Sequence, residues 1–114
     1  MKKSIISIEI NLDENNIPNK ILWSADDAPL QGPQEAKAFT MAVWDPKDQG
    51  TLKIDLWNKE MEIHEMKQFV IETISGLADT IRRATSDDIM ALVLENACKD
   101  LSKRLEEELK QQLK

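Results

Sequence analysis

Residues 51–85 read TLKIDLWNKEMEIHEMKQFVIETISGLADTIRRAT, and the hydrophobic period changes inside them. Leu52, Ile54 and Leu56 alternate with Lys53, Asp55 and Trp57, the two-residue repeat of a strand with unlike faces. From about residue 62 the positions Ile63, Met66, Val70, Ile74, Leu77, Ile81 and Ala84 follow at steps of three and four, the repeat of an amphipathic helix. A chain that changes period once places its strands before its helices. That order predicts an α+β domain rather than alternating β-α units.

Working back from this point, Ile6, Ile8, Ile10 and Leu12 alternate with Ser7, Glu9 and Asn11 as a first strand. Asp13-Glu14-Asn15-Asn16 supplies turn residues that tolerate left-handed backbone and bond their own amides. A second strand runs from Ile17-Pro18 to Trp23, with Ile21, Trp23 and Ala25 on one side; Pro18, lacking an amide hydrogen, belongs at its start or on a sheet edge. Residues 26–33 read as a loop, with Pro29, Gly32 and Pro33 close together. Residues 34–38 carry helix-favouring side chains, yet Phe39, Met41 and Val43 alternate with Thr40, Ala42 and Trp44. With the turn at 45–50 they predict a hairpin, hence a four-stranded, largely antiparallel sheet with strands in chain order.

Working forward, Thr85-Ser86-Asp87-Asp88 offers capping groups for a second helix. Its apolar stripe, broad at Ile89, Leu92, Val93 and Ala97, narrows to Leu94, Cys98, Leu101, Leu105, Leu109 and Leu113. So narrow a seam suits contact with one other helix, either the first helix or the same helix of another chain, and motivates an expectation of self-association. The expectation is a single domain over 1–114: sheet over 1–57, first helix over 62–84, second helix over 86–113, both helices on one face of the sheet.

The 114 residues hold 15 Lys+Arg against 21 Asp+Glu, a net charge of −6 shared evenly between the two halves. That field repels phosphate backbones and anionic lipid, so nucleic acid and direct membrane insertion are not predicted. Lys2-Lys3 precedes a short apolar stretch, but Glu9, Asn11 and Asp13 interrupt it too early for a secretion signal. A cytoplasmic location is expected, and the lone Cys98, set among Leu94, Ala97 and Leu101, reads as a small buried hydrophobe.

His64, next to Glu65 and near Glu60 and Glu62, has the form of a carboxylate-oriented base but lacks a nucleophile at recognisable spacing; an exposed first-turn residue explains it as well. Asp45, Asp48 and Asp55 bracket the hairpin turn, and Asp26-Asp27 open a loop. Neither group has the dense spacing of a calcium loop, and turn chemistry accounts for Asp45-Pro46. No catalytic residue, metal or cofactor is predicted. Trp44 and Trp57 fall on the hairpin face opposite Phe39, Met41 and Val43. Two placements fit them: anchors of a partner surface, or strand ends curled into the core. The candidate partner-binding residues are therefore Trp44 and Trp57 on the sheet and Leu101, Leu105 and Leu109 on the helical seam. A small-ligand module with a cavity between sheet and helices is the alternative.

Val43-Trp44-Asp45, residues 51–57, Glu65-Met66-Lys67-Gln68-Phe69, Leu77-Ala78-Asp79-Thr80 and Arg83-Ala84-Thr85 together resemble the gliding motility protein GldC family of the Bacteroidota. Residues 12–18 and 35–38 extend the resemblance over about residues 1–90, and the Leu-rich stretch after Asp100 lies outside it. The resemblance implies a cytoplasmic accessory component of surface gliding with a protein partner in the motility apparatus. It implies no enzymatic activity and no catalytic residues.

Overall fold

The computed structural model describes residues 2–113. The chain forms two compact units, Met1–Met61 and Glu62–Lys114. The first holds five strands: β1 (Ile6–Leu12), β2 (Pro18–Ala25), β3 (Gln34–Ala36), β4 (Ala38–Asp45) and β5 (Gly50–Trp57). The second holds two helices, α1 (Ile63–Thr85) and α2 (Asp88–Gln112). The α+β order and antiparallel pairing are as expected. The single four-stranded sheet is not: there are two sheets, β1-β2-β3 and β4-β5.

The difference lies in the expected third strand, which is divided at Lys37. Its first part pairs with β2 through Ile21↔Ala36 and Trp23↔Gln34, its second with β5 through Phe39↔Leu56, Met41↔Ile54 and Val43↔Leu52. An unbroken strand from 34 to 45 would put Ala36 and Phe39 on opposite faces. Ala36 belongs to the face holding Ile10 and Ile21, whereas Phe39 begins the apolar face of the hairpin. The two sets cannot share one regular sheet, so the chain breaks between them. Asn58 closes the break: its amide donates to the Lys37 carbonyl at 2.9 Å, and its side-chain oxygen accepts from the Glu60 amide at 3.1 Å. It is the buried polar residue of this unit.

Ile21, 1% exposed, lies between Ile10 and Ala36 in the register and is the largest fully buried side chain. Pro18 opens β2, where its missing amide hydrogen is not needed inside the ladder. At the β1–β2 turn, Asp13 accepts from the amides of Asn15 (2.8 Å) and Ile17 (3.0 Å). Lys59 adds an ion pair at 2.8 Å. The Lys59 ammonium first, then these amides, hold the Asp13 carboxyl down at about 2. Asn16, at φ 62°, takes the left-handed position that such turns require.

α1 and α2 are joined through Ser86 and Asp87 alone and run antiparallel, since Lys67 meets Glu108 at 2.7 Å and Arg82 meets Glu95 at 2.8 Å. Ser86, at φ 62°, ends α1 with its amide on the Arg82 carbonyl; Asp87 caps α2 by accepting from the Met90 amide at 2.9 Å. Ile71, Cys98 and Leu105 form the buried core, with Ile74 and Leu109 against it. Ala78 and Ala91 are fully buried, and side chains this small let the two backbones approach closely. Arg82 also reaches Asp88 at 3.3 Å, and Glu95 is held below its ordinary range chiefly by the hydrogen bond from Arg82.

Ile21→Ala removes a fully buried branched side chain and should destabilise the protein by about 2–5 kcal/mol, read from urea unfolding midpoints. Asp13, depressed from 3.8, favours the folded state at neutral pH, and this contribution is lost as pH falls from about 4 to about 2. Lys59→Ala should raise the Asp13 titration midpoint, followed by carboxyl carbon NMR, and flatten the loss of stability across that window.

Candidate interaction surfaces

The β4–β5 register places Phe39, Met41, Val43, Leu52, Ile54 and Leu56 on one face as three cross-strand pairs. Met41, Val43, Leu52 and Ile54 are exposed, Leu52 to 60%. A ladder on a sheet face is buried only by a second layer packed on it, and isolated hairpins are marginal in water. The turn that joins the strands is built locally: Asp45 accepts from the Lys47 amide at 3.0 Å, and Gln49 takes the left-handed position at φ 51°.

The opposite face carries Trp44 (65% exposed) and Trp57 (53% exposed). Trp44 pairs with Thr51 and Trp57 with Ala38, so they stand at opposite ends of the hairpin, about 20 Å apart at the usual strand rise. Between them lie Thr40, Ala42 and the Lys53–Asp55 ion pair at 2.8 Å, which lowers the Asp55 carboxyl. The tryptophans are two separate exposed indoles rather than one cluster. Sequence alternation had put them opposite Met41 and Val43. It did not show that the Met41–Ile54 and Val43–Leu52 pairs are themselves exposed, because exposure depends on what covers the hairpin.

The leucines of the α2 seam divide. Leu105 is 7% exposed and sits with Ile71 and Cys98, Leu109 packs against that core, and Leu101 is 38% exposed. Leu101 and Leu105 line a groove of about 320 Å³ with Met66, Val70 and Ile71, and the charged side chains of Lys67, Arg104 and Glu108 line it too. Lys67, then Arg104, hold the Glu108 carboxyl below its ordinary range.

The polar residues weighed for chemistry lie elsewhere in local structure. Asp45 and Asp55 occupy opposite faces of the hairpin, since Asp45 pairs with Gly50 and Asp55 with Thr40. Asp26 accepts from the Ile5 amide at 3.0 Å and Asp27 from the Ser4 hydroxyl at 2.7 Å, holding the segment before β1. His64 Nδ1 faces Glu62 at 3.3 Å on an exposed first turn. The Cys98 thiol donates to the Ile71 carbonyl at 3.5 Å inside the helical core. Among the described residues no three His, Cys, Asp or Glu side chains gather as a metal site, and no helix is long and apolar enough to cross a membrane.

A family model described as "Gliding motility-associated protein GldC-like" matches residues 18–107. The chain belongs to the GldC-like family. The match takes in β2 to β5, all of α1 and most of α2, including the leucines at 101 and 105 that the sequence resemblance had left out. No curated protein and no solved structure matches the chain.

Because both indoles of this GldC-like chain are more than half exposed, Trp44→Ala and Trp57→Ala should each shift stability by about 0.5 kcal/mol or less. Urea titrations followed by far-UV circular dichroism test this; a loss several times larger at either site would mean that its indole is packed.

Proposed function

We propose that this GldC-like protein serves gliding motility as a non-catalytic cytoplasmic component that holds a protein partner of the motility apparatus through the β4–β5 hairpin. One observation carries the reading: the exposed ladder Met41↔Ile54 and Val43↔Leu52 on a sheet of only two strands, with exposed indoles on its other face. Contiguous apolar pairs rimmed by polar residues are what a partner buries, and large aromatic side chains are frequent anchors of such contacts. The turn and the cross-strand pairs hold the ladder in one register before any partner arrives, which reduces the ordering cost of association. The acidic charge of −6 and the unpaired, buried Cys98 support placement in the reducing cytoplasm.

The test is complementation in a gliding host lacking the gene. Val43→Glu and Leu52→Glu place a charge in the middle of the ladder and should abolish rescue of spreading while the protein stays folded and abundant. Crosslinked purification of the tagged chain should recover a motility protein in near-stoichiometric amount with the unaltered sequence and not with either variant. Full rescue by both variants would refute the hairpin as the contact.

A further inference from the structure

The order β1-β2-β3 leaves the outer side of β1 without a neighbouring strand. The register fixes which backbone groups face that side. Ile6 pairs with Ala25, so Ile5 stands opposite Asp26, and the Asp26 amide donates to the Ile5 carbonyl at 3.1 Å. Opposed residues that bond each other alternate with those that do not, so the bonds to β2 belong to Ser7, Glu9 and Asn11. The amides and carbonyls of Ile6, Ile8 and Ile10 therefore point outward. Edges of this length are ordinarily blunted by a proline, a bulge or an inward-pointing charge. Here the irregularity comes only at Asn11/Leu12, and the one charge of the strand, Glu9, lies on the face opposite the isoleucines. Ile6 is 74% exposed at this edge.

We infer that β1 pairs antiparallel with β1 of a second copy about a two-fold axis at Ile8, joining the two three-stranded sheets into one. Parity and charge select this register. Outward backbone groups bond only when even-numbered positions face one another, which allows an axis at Ser7, Ile8 or Glu9. An axis at Glu9 sets the two Glu9 carboxylates directly opposite, a destabilising pair. An axis at Ser7 sends Ile10 against Ser4, outside the strand. At Ile8 all three isoleucines are used: Ile6 faces Ile10 of the second copy, and Ile8 faces its counterpart. The exposed Ile6 gains an apolar neighbour, and on the other face Ser7 meets Glu9, whose carboxylate accepts from its hydroxyl. The ends match as well. The same register carries Lys2 and Lys3 of each copy toward the other's turn at Asp13 and Glu14; Lys59 already holds Asp13, which leaves Glu14 for them. The net charge of −6 opposes approach, but physiological salt screens it beyond about 8 Å. Pairing stops at two copies, because the sheet's other edge, β3, is only three residues long. The inference does not rest on the hairpin reading.

Sedimentation velocity on the full chain at physiological ionic strength, across the micromolar range, should give twice 13.0 kDa. Amide hydrogen exchange followed by NMR should slow at Ile8 and Ile10 as concentration rises. Ser7→Glu sets like charges opposite each other on both sides of the axis and should weaken association about tenfold, whereas Ser7→Lys should tighten it several-fold. Ser7 is exposed, so both variants should keep the circular dichroism of the parent. Ile8→Pro removes an amide that β2 does not use and should leave a monomer; if that variant unfolds, the two Ser7 variants decide the matter. Val43→Glu, which alters only the hairpin, should leave the dimer unchanged. A mass of 13.0 kDa at every concentration overturns the inference. So does a dimer whose Ile8 amide exchanges no more slowly than in the monomer, or whose affinity moves the same way for Ser7→Glu and Ser7→Lys.

Discussion

The apolar positions of the strand unit change parity at Lys37, and the rest of that unit follows from this constraint. Ile10, Ile21 and Ala36 share one face, whereas Phe39, Met41 and Val43 require the other. A regular strand cannot serve both, so the chain breaks and each part takes a different neighbour. At the break the Lys37 carbonyl accepts from the amide of Asn58, a residue that is buried. The break also leaves β4 and β5 as a sheet of two, with the Val43–Leu52 pair exposed on one of its faces.

The helices solve a different problem with the same economy of residues. A two-residue link forces α2 back along α1, and the side chains between them must be small or interlocking. Ala78 and Ala91 meet the first condition; Ile71, Cys98 and Leu105 meet the second. Ion pairs then sit at each end, Arg82 with Glu95 and Asp88 by the turn and Lys67 with Glu108 at the far end. Exposed pairs of this kind add little stability, so the register of one helix against the other rests on the packed core of Ile71, Cys98 and Leu105. With the register set, Val70 and Leu77 are carried to one outer side and Ser75 and Glu95 to the other.

What was legible in the sequence was what depends on near neighbours. The period change between Trp57 and Ile63 marks the passage from strands to helices within a few residues. Pro18 marks the opening of β2, Asp87 the cap of α2, and the company of Leu94 and Leu101 foretells the burial of Cys98. The break at Lys37 was not legible, because residues 34–38 mix helix-favouring side chains with alternation. Which strand they join is decided by Ile21 and Trp23, more than ten residues back. The α2 seam was compatible with an intramolecular or an intermolecular helix partner, and its spacing is the same in both cases. Contact of Leu105 with Ile71 turns that part of the seam toward α1, while Leu101 on the seam and Ile89, Met90, Leu92 and Val93 elsewhere on α2 stay exposed.

A chain that exposes Val43, Leu52, Leu77 and Val93 must also avoid indiscriminate association. Its charge does this in two ways. At −6, copies repel one another at long range, and the repulsion falls as pH approaches the isoelectric point near 4.8. Locally, charges alternate with the apolar positions on two of the strands: Lys53 and Asp55 separate Leu52, Ile54 and Leu56 along β5, and Glu9 divides Ile8 from Ile10 on β1. A foreign strand laid over the Lys53–Asp55 side of β5 would take that pair out of water, a desolvation cost that purely apolar contact does not carry. These two charges lie on the hairpin face opposite the apolar ladder, so the two faces of one small sheet differ sharply in what they cost to cover.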